Sequence, residues 1–145
     1  MEIVYKALML SQGGRGGTLR SDEGDVSIKL AVPPSMGGKG GGPTPEQLFA
    51  GAFAACFEHS VRHVAKKGHV PLRGCYVEAE ISMFVTDEDA YRMVLTLTTH
   101  MAGPLEQADA DDLIARAKGI CPYVDATKTN ITLNLKAVLD TPVTA

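Results

Sequence analysis

Cysteine is scarce in this chain: three in 145 residues, an odd number and far too few for a disulfide-stapled domain. That count fits a reducing compartment and directs attention to thiol reactivity. Basic charge is not in excess either. Fourteen Lys and Arg against 17 Asp and Glu give a net charge of −3 and a pI near 5.8, so no phosphate-tracking surface and no nucleic-acid partner are expected. No apolar run has the length to span a bilayer, and no membrane partner is expected. The opening Met1-Glu2-Ile3-Val4-Tyr5-Lys6 has an early acid and alternates, unlike a signal peptide. A cytoplasmic location follows as an expectation. Repeats and internal linkers are absent, and Gly37-Gly38-Lys39-Gly40 lacks the spacing and the following Ser or Thr of a phosphate loop. With 45% hydrophobic residues and no Trp, the chain is expected to form one domain over residues 1–145, burying about 70% of its unfolded surface.

What is present is organised around Thr44 to Phe57. Thr44 with Gln47 fits a capping box, and Pro45 falls at the first helical position, where its missing N–H does no harm. Phe49, Phe53, Cys56, Ser60 and His63 recur at the spacing of one helical face, with Gly68 as the expected stop. Ala50, Gly51, Ala52, Ala54 and Ala55 between them are small enough for another backbone to approach closely. A helix apolar on nearly every side belongs inside something.

Around this helix the chain reads as strands. Residues 2–10 alternate, with Ile3, Tyr5, Ala7 and Met9 on one side. Gly13-Gly14-Arg15-Gly16-Gly17 then interrupts, either as a flexible connection or as a loop whose glycines place Arg15 where an ordinary loop could not. Val26, Ile28, Leu30 and Val32 alternate up to Pro33-Pro34, and residues 35–43 are expected to be a mobile Gly-rich loop. Cys75 to Val85 and Tyr91 to Leu97 alternate on either side of Asp87-Glu88-Asp89, which predicts a hairpin. A second helix is expected from Pro104 to Gly119, and a last strand from Ile131 to Leu139. Without a βαβ rhythm, the expectation is an α+β fold with antiparallel sheets packed around a long central helix.

Cys75 lies on the apolar side of its strand and reads as a small buried hydrophobe. Cys56, within a helix face, and Cys121, at a helix end beside Pro122, are different. Cys56, His59 and His63 share a helical face, so a metal site completed by Cys121 is one reading. A Cys–His hydrolase with His59 as base is another, though it lacks an oxyanion loop and leaves Cys121 idle. His69 and His100 look like ordinary surface or strand residues.

Arg15 in its Gly-rich loop, Pro45-Glu46-Gln47-Leu48-Phe49, Ala55-Cys56-Phe57 and Cys121-Pro122-Tyr123-Val124-Asp125-Ala126-Thr127 together resemble the organic hydroperoxide resistance (Ohr) branch of the OsmC/Ohr family. The likeness runs over nearly the whole chain. It implies an OsmC-like intertwined homodimer and a thiol-dependent peroxidase for organic hydroperoxides that needs no cofactor. In it Cys56 would be the peroxidatic thiol, Cys121 the resolving thiol, and Arg15 with Glu46 the polar pair beside the thiolate. Phe49, Phe53 and Tyr123 would line the substrate, and a dithiol such as a lipoylated protein would restore the thiols. Phe53 stands where a Tyr is more usual, and Val124-Asp125 where Ser-Asn is; both bear on pocket polarity. A redox sensor forming the same disulfide without turnover is the remaining alternative.

The chemistry explains the residue types. A free thiol is only a few per cent ionised at neutral pH. Lowering its pKa by about three units raises the thiolate fraction roughly tenfold but costs a factor of roughly 20 in nucleophilicity. A guanidinium must therefore also stabilise the departing oxygen, and a carboxylate such as Glu46 would hold its planar fork. On one straight helix, ten residues separate Glu46 from Cys56 by about 15 Å. Either the helix breaks near Gly51, or Arg15 and Glu46 serve the thiol of a second subunit.

Overall fold

The structure, a computed structural model, describes residues 1–140. It forms two compact units, Met1–Leu48 and Phe49–Ala145. The first holds a three-stranded antiparallel sheet of β1 (Met9–Gln12), β2 (Thr18–Ser21) and β3 (Ser27–Lys29), in that order. Cross-strand pairs such as Leu10 with Arg20 and Leu19 with Ile28 set the register. The strand expected over residues 2–10 is thus much shorter. Residues 1–8 make no ladder; Ile3, Val4, Tyr5 and Leu8 stand 60–93% exposed. Their alternation is that of a strand, and among the described residues a backbone bond from Asp22 N–H to Leu8 O is what holds its end. The 26–32 strand is also shortened: Leu30 N–H still bonds in register to Gly17 O, but Gly17 N–H turns back to Gly14 O and Ala31 N–H goes to Pro43 O. Residues 35–40, part of the loop expected to be mobile, are tied down by bonds from Gly37, Gly38 and Gly40 to the carbonyls of Pro34, Pro33 and Val32.

Helix α1 runs Pro45–Lys67 without a break at Gly51. Its start is the expected capping box: Thr44 N–H donates to Gln47 Oε1 at 2.9 Å and Gln47 N–H to Thr44 Oγ1 at 3.1 Å. Its end at Lys67 puts Gly68 just past the last turn, as expected, but the left-handed residue comes one position later. Val70 N–H bonds to Ala65 O and His69 N–H to Lys66 O, a Schellman closure in which the left-handed position (φ 54°) is His69 and not Gly68.

The second unit contains the core. A hairpin of two twelve-residue strands, β4 (Gly74–Val85) and β5 (Tyr91–Ala102), pairs from Gly74 with Ala102 to Val85 with Tyr91, as the sequence predicts. Then α2 (Gln107–Ile120) and α3 (Pro122–Thr127) cross over to β6 (Thr132–Leu139), which runs parallel to β5. The expected α+β fold with its antiparallel hairpin is present, but β6 makes this sheet mixed. A parallel neighbour needs such a crossover, yet β6 alternates like an antiparallel edge strand, with Leu133, Leu135 and Ala137 inward and Thr132, Asn134 and Lys136 outward. Phe53, Phe57, Val61 and Val64 of α1 are buried with Leu95, Leu97 and Met101 of β5 and Ala110, Leu113 and Ala117 of α2.

This core rotates α1 slightly from the face read in the sequence. Phe57, Val61 and Val64 bury more apolar surface than Cys56 and His63 would, so Cys56 lies at the rim, half-buried, and His63 is exposed. Ser60 is buried with its hydroxyl donating to Cys56 O at 3.0 Å. Helix α2 starts three residues after Pro104, where Asp109 accepts from Glu106 N–H at 2.8 Å, and it passes through Gly119. No described helix is long and apolar enough to cross a membrane.

The left-handed His69 generates a stability prediction. His69→Gly removes a conformation unfavourable to a residue with a Cβ, against the greater unfolded-state freedom of glycine, and should raise the unfolding free energy by about 0.5–1 kcal/mol in urea denaturation.

Candidate functional site

Pro122 decides where Cys121 lies. A residue before proline is driven out of the α region, and Cys121 has φ −70° and ψ 117°, ending α2 and serving as the N-cap position of α3 at once. Its own N–H bonds to Ala117 O, and its carbonyl accepts from Asp125 N–H. The break turns the side chain inward. Cys121 is buried with its Sγ 3.7 Å from Cys56 Sγ, and both thiols are free. The contact spans 65 residues. Neither sulfur contacts the other by local geometry; the packing of α1 against the α2–α3 junction brings them together.

An aromatic row runs along the elements that carry this pair, α1 and α3. Phe49 and Phe53 lie tilted with centroids 6.0 Å apart, and Tyr123 meets Phe53 edge-on at 5.7 Å. Phe53 is fully buried while Tyr123 is 41% exposed, so the row runs from the core to the surface. Helix α3 was not expected from the sequence, although Pro122 after a non-helical residue is a start signal. It supplies a group that sequence reasoning missed: the Tyr123 backbone N–H, which hydrogen-bonds Cys56 and favours its thiolate. The balance still runs the other way. Burial and the adjoining Cys121 push the Cys56 thiol above its ordinary value.

The expected cation and its carboxylate partner do meet, in the first unit. Arg15 Nη1 donates to Glu46 Oε2 at 3.0 Å and Nη2 to Oε1 at 2.5 Å, a bidentate fork. The Arg15 hydrogen bond, opposed by burial and helped by the guanidinium charge, holds the Glu46 carboxyl below its ordinary value. The glycines are needed for this placement. Gly13 and Gly14 have φ of 87° and 64°, and a Cβ at Gly17 would stand 1.9 Å from Gln12 O. The loop is thus built, as the sharper reading of the sequence has it, to hold Arg15 on a 3₁₀ turn over Gly14–Gly16.

The metal reading finds no support. His59 and His63 are exposed with ring centroids 6.5 Å apart, and among the described residues no three His, Cys, Asp or Glu side chains are grouped to hold an ion.

A family model described as OsmC-like protein matches residues 38–136. The chain belongs to the OsmC-like family. The match includes Glu46, Cys56 and Cys121 and stops short of Arg15. Organic hydroperoxide resistance protein OhrB of Bacillus subtilis is 30% identical, over 92% of this chain and 97% of its own length. Organic hydroperoxide resistance protein of Xanthomonas axonopodis pv. citri is 33% identical, over 92% and 94%. Among solved structures, an organic hydroperoxide resistance protein of Legionella pneumophila superposes with a TM-score of 0.90 at 35% identity, over 94% of this chain and 98% of that one. This OsmC-like chain thus shares the Ohr branch's fold along nearly its whole length.

Cys75 is set apart from the pair. Burial, followed by the charge of Glu58 and opposed by Arg62, pushes its thiol up to about 11. Brief iodoacetamide treatment of the native protein at pH 8 should label the half-buried Cys56 first and leave Cys75 last, read by peptide mass mapping.

Proposed function

We propose that this protein is a peroxidase that reduces organic hydroperoxides through Cys56 and Cys121. Resistance to organic hydroperoxides is the role named for its relatives in Bacillus subtilis and Xanthomonas. The single observation that carries the enzymatic reading is the approach of two free sulfurs, 65 residues apart in sequence, to 3.7 Å. The Cys56 thiolate attacks one peroxide oxygen, the O–O bond breaks, and the alkoxide takes a proton and leaves as the alcohol. Cys56 is then a sulfenic acid, open to further oxidation unless a thiol condenses with it. Cys121 forms the S–S bond, releasing water, and an external dithiol takes over the oxidation and restores both thiols. A lipoylated protein is the reductant we favour.

Arg15 is the proposed cation, both for keeping Cys56 anionic and for stabilising charge on the departing oxygen. With α1 unbroken past Gly51, we adopt the shared arrangement, in which Arg15 and Glu46 of one subunit serve Cys56 of the other. The exposed surface supports a homodimer. Gly51, Ala52 and Ala55 form an exposed small-residue stripe on α1, and a Cβ added at Gly51 would meet no described atom within 4 Å. The alternating run of residues 3–8 likewise joins no ladder among the described residues. A second copy is the occupant we propose for both. The row Phe49–Phe53–Tyr123 suits an alkyl or lipid-like peroxide better than hydrogen peroxide.

One equivalent of cumene hydroperoxide should produce a Cys56–Cys121 disulfide in non-reducing peptide maps; a Cys56–Cys75 link would overturn the assignment. Arg15→Ala should lower kcat/KM for the hydroperoxide by about 100- to 1,000-fold with Cys56 still alkylable. Mixing inactive Glu46→Ala and Cys56→Ser proteins under subunit exchange should recover activity, since one site of each heterodimer is then complete. No recovery would place the pair and the thiol in the same subunit.

A further inference from the structure

The outward face of the β4-β5-β6 sheet carries a cluster outside the thiol chemistry. His100, on β5, has a side chain only 12% exposed and both ring nitrogens engaged. Nδ1 lies 2.7 Å from Asp140 Oδ2, and Nε2 lies 3.0 Å from Glu78 Oε2. Tyr76, its cross-strand neighbour, stacks parallel on the ring with centroids 4.3 Å apart. A neutral imidazole has one N–H and one lone pair. In either tautomer one nitrogen would therefore turn its lone pair on a carboxylate. Only the imidazolium donates to both acceptors, and a cation is also the form an aromatic face attracts.

The four residues of the cluster span three strands of the sheet. Tyr76 and Glu78 belong to β4, His100 to β5, and Asp140 follows directly on the last residue of β6. Lys136 of β6 shares the outward face, two residues before Val138, the parallel-ladder neighbour of His100. We propose that His100 is a proton-operated latch, whose imidazolium fastens the end of β6 to β4 and β5 and whose deprotonation releases it. Asp140 is held by one further bond, from its N–H to Met101 O at 3.0 Å, which makes that amide a reporter of the latch.

The direction of the pH effect follows. Burial works against the charge on His100, but the hydrogen bonds and charges of Asp140 and Glu78 outweigh it and hold the imidazole above its ordinary value. A group raised in the folded state stabilises fully below its unfolded value, near 6.5, and loses that contribution as the pH rises through the folded value. The latch is closed in mild acid and opens on the alkaline side.

Long-range proton–nitrogen correlation spectra of the full chain, taken from pH 5 to 10, test this. The His100 ring should titrate with a midpoint above 6.5, with both nitrogens protonated below it. The protection factor of the Asp140 amide should fall across the same midpoint. Glu78→Gln and Asp140→Asn, which keep an acceptor oxygen but remove a charge, should each move the midpoint down. His100→Asn should abolish the step in Asp140 protection. A wild-type midpoint at or below 6.5, or Asp140 protection that ignores the His100 titration, overturns the proposal.

Discussion

The proline after Cys121 is a small constraint with long reach. By denying the preceding residue an α conformation it ends α2, starts α3 after a single non-helical residue, and fixes Cys121 between two helices, each packed on its own terms. Ala117 anchors the junction from α2 and Val124 from α3, both buried in the same core. A sulfur held in this way does not wander. Its 3.7 Å approach to Cys56 is a property of how α1 meets the junction, so every large side chain of α1's buried face contributes to it. Phe53 belongs to both descriptions, as a core residue and as the middle ring of the aromatic row.

Packing and reactivity make opposite demands on Cys56. Burial that brings the sulfurs together raises the thiol's proton affinity, and the second thiol raises it further. The Tyr123 N–H alone does not reverse this. A thiolate there requires charge from elsewhere, and in the mechanism we propose that charge is the guanidinium of Arg15, which Glu46 grips in a bidentate fork. That fork has itself been prepared at some conformational expense. Two left-handed glycines and a third without room for a Cβ are used to present one guanidinium. Glycine-dense loops are entropically costly to order, which is reasonable where a planar cation must be aimed and hard to explain where a plain hairpin turn would do.

Much of this was legible in the sequence, for reasons that differ by element. The start of α1 was readable because a capping box is local, with Thr44, Pro45 and Gln47 acting on one another. The β4–β5 hairpin was readable because alternation on two strands around an acidic turn leaves few other pairings. The helical face of α1 was off by a small rotation, since Cys56 and Phe57 are adjacent and only the tertiary core decides which goes deeper. The parallel pairing of β6 was hidden because an edge strand alternates whichever way its neighbour runs. Helix α3 went unseen because six residues give no periodicity. Arg15, Glu46, Cys56 and Cys121 were singled out by motif, and within each unit the expected pairs do meet. His100 was passed over because its partners lie 22 and 40 residues away, and no local pattern connects them.

What the single chain leaves exposed points in one direction. A helix whose sequence is apolar on nearly every side is buried on one face only, and the other presents Gly51, Ala52 and Ala55 to solvent. A run with strand alternation, residues 3–8, presents Ile3, Val4, Tyr5 and Leu8. Small residues matter where backbones approach closely, and unpaired backbone with apolar side chains matters where a ladder can be extended. Neither feature helps an isolated chain, and each is a cost to its solubility. Under the shared-site proposal each would face a second copy, and that copy would also supply Arg15 to Cys56. Dimerisation and thiol activation would then be one requirement, so that a variant weakening the helix stripe would reduce catalysis without touching any reacting atom.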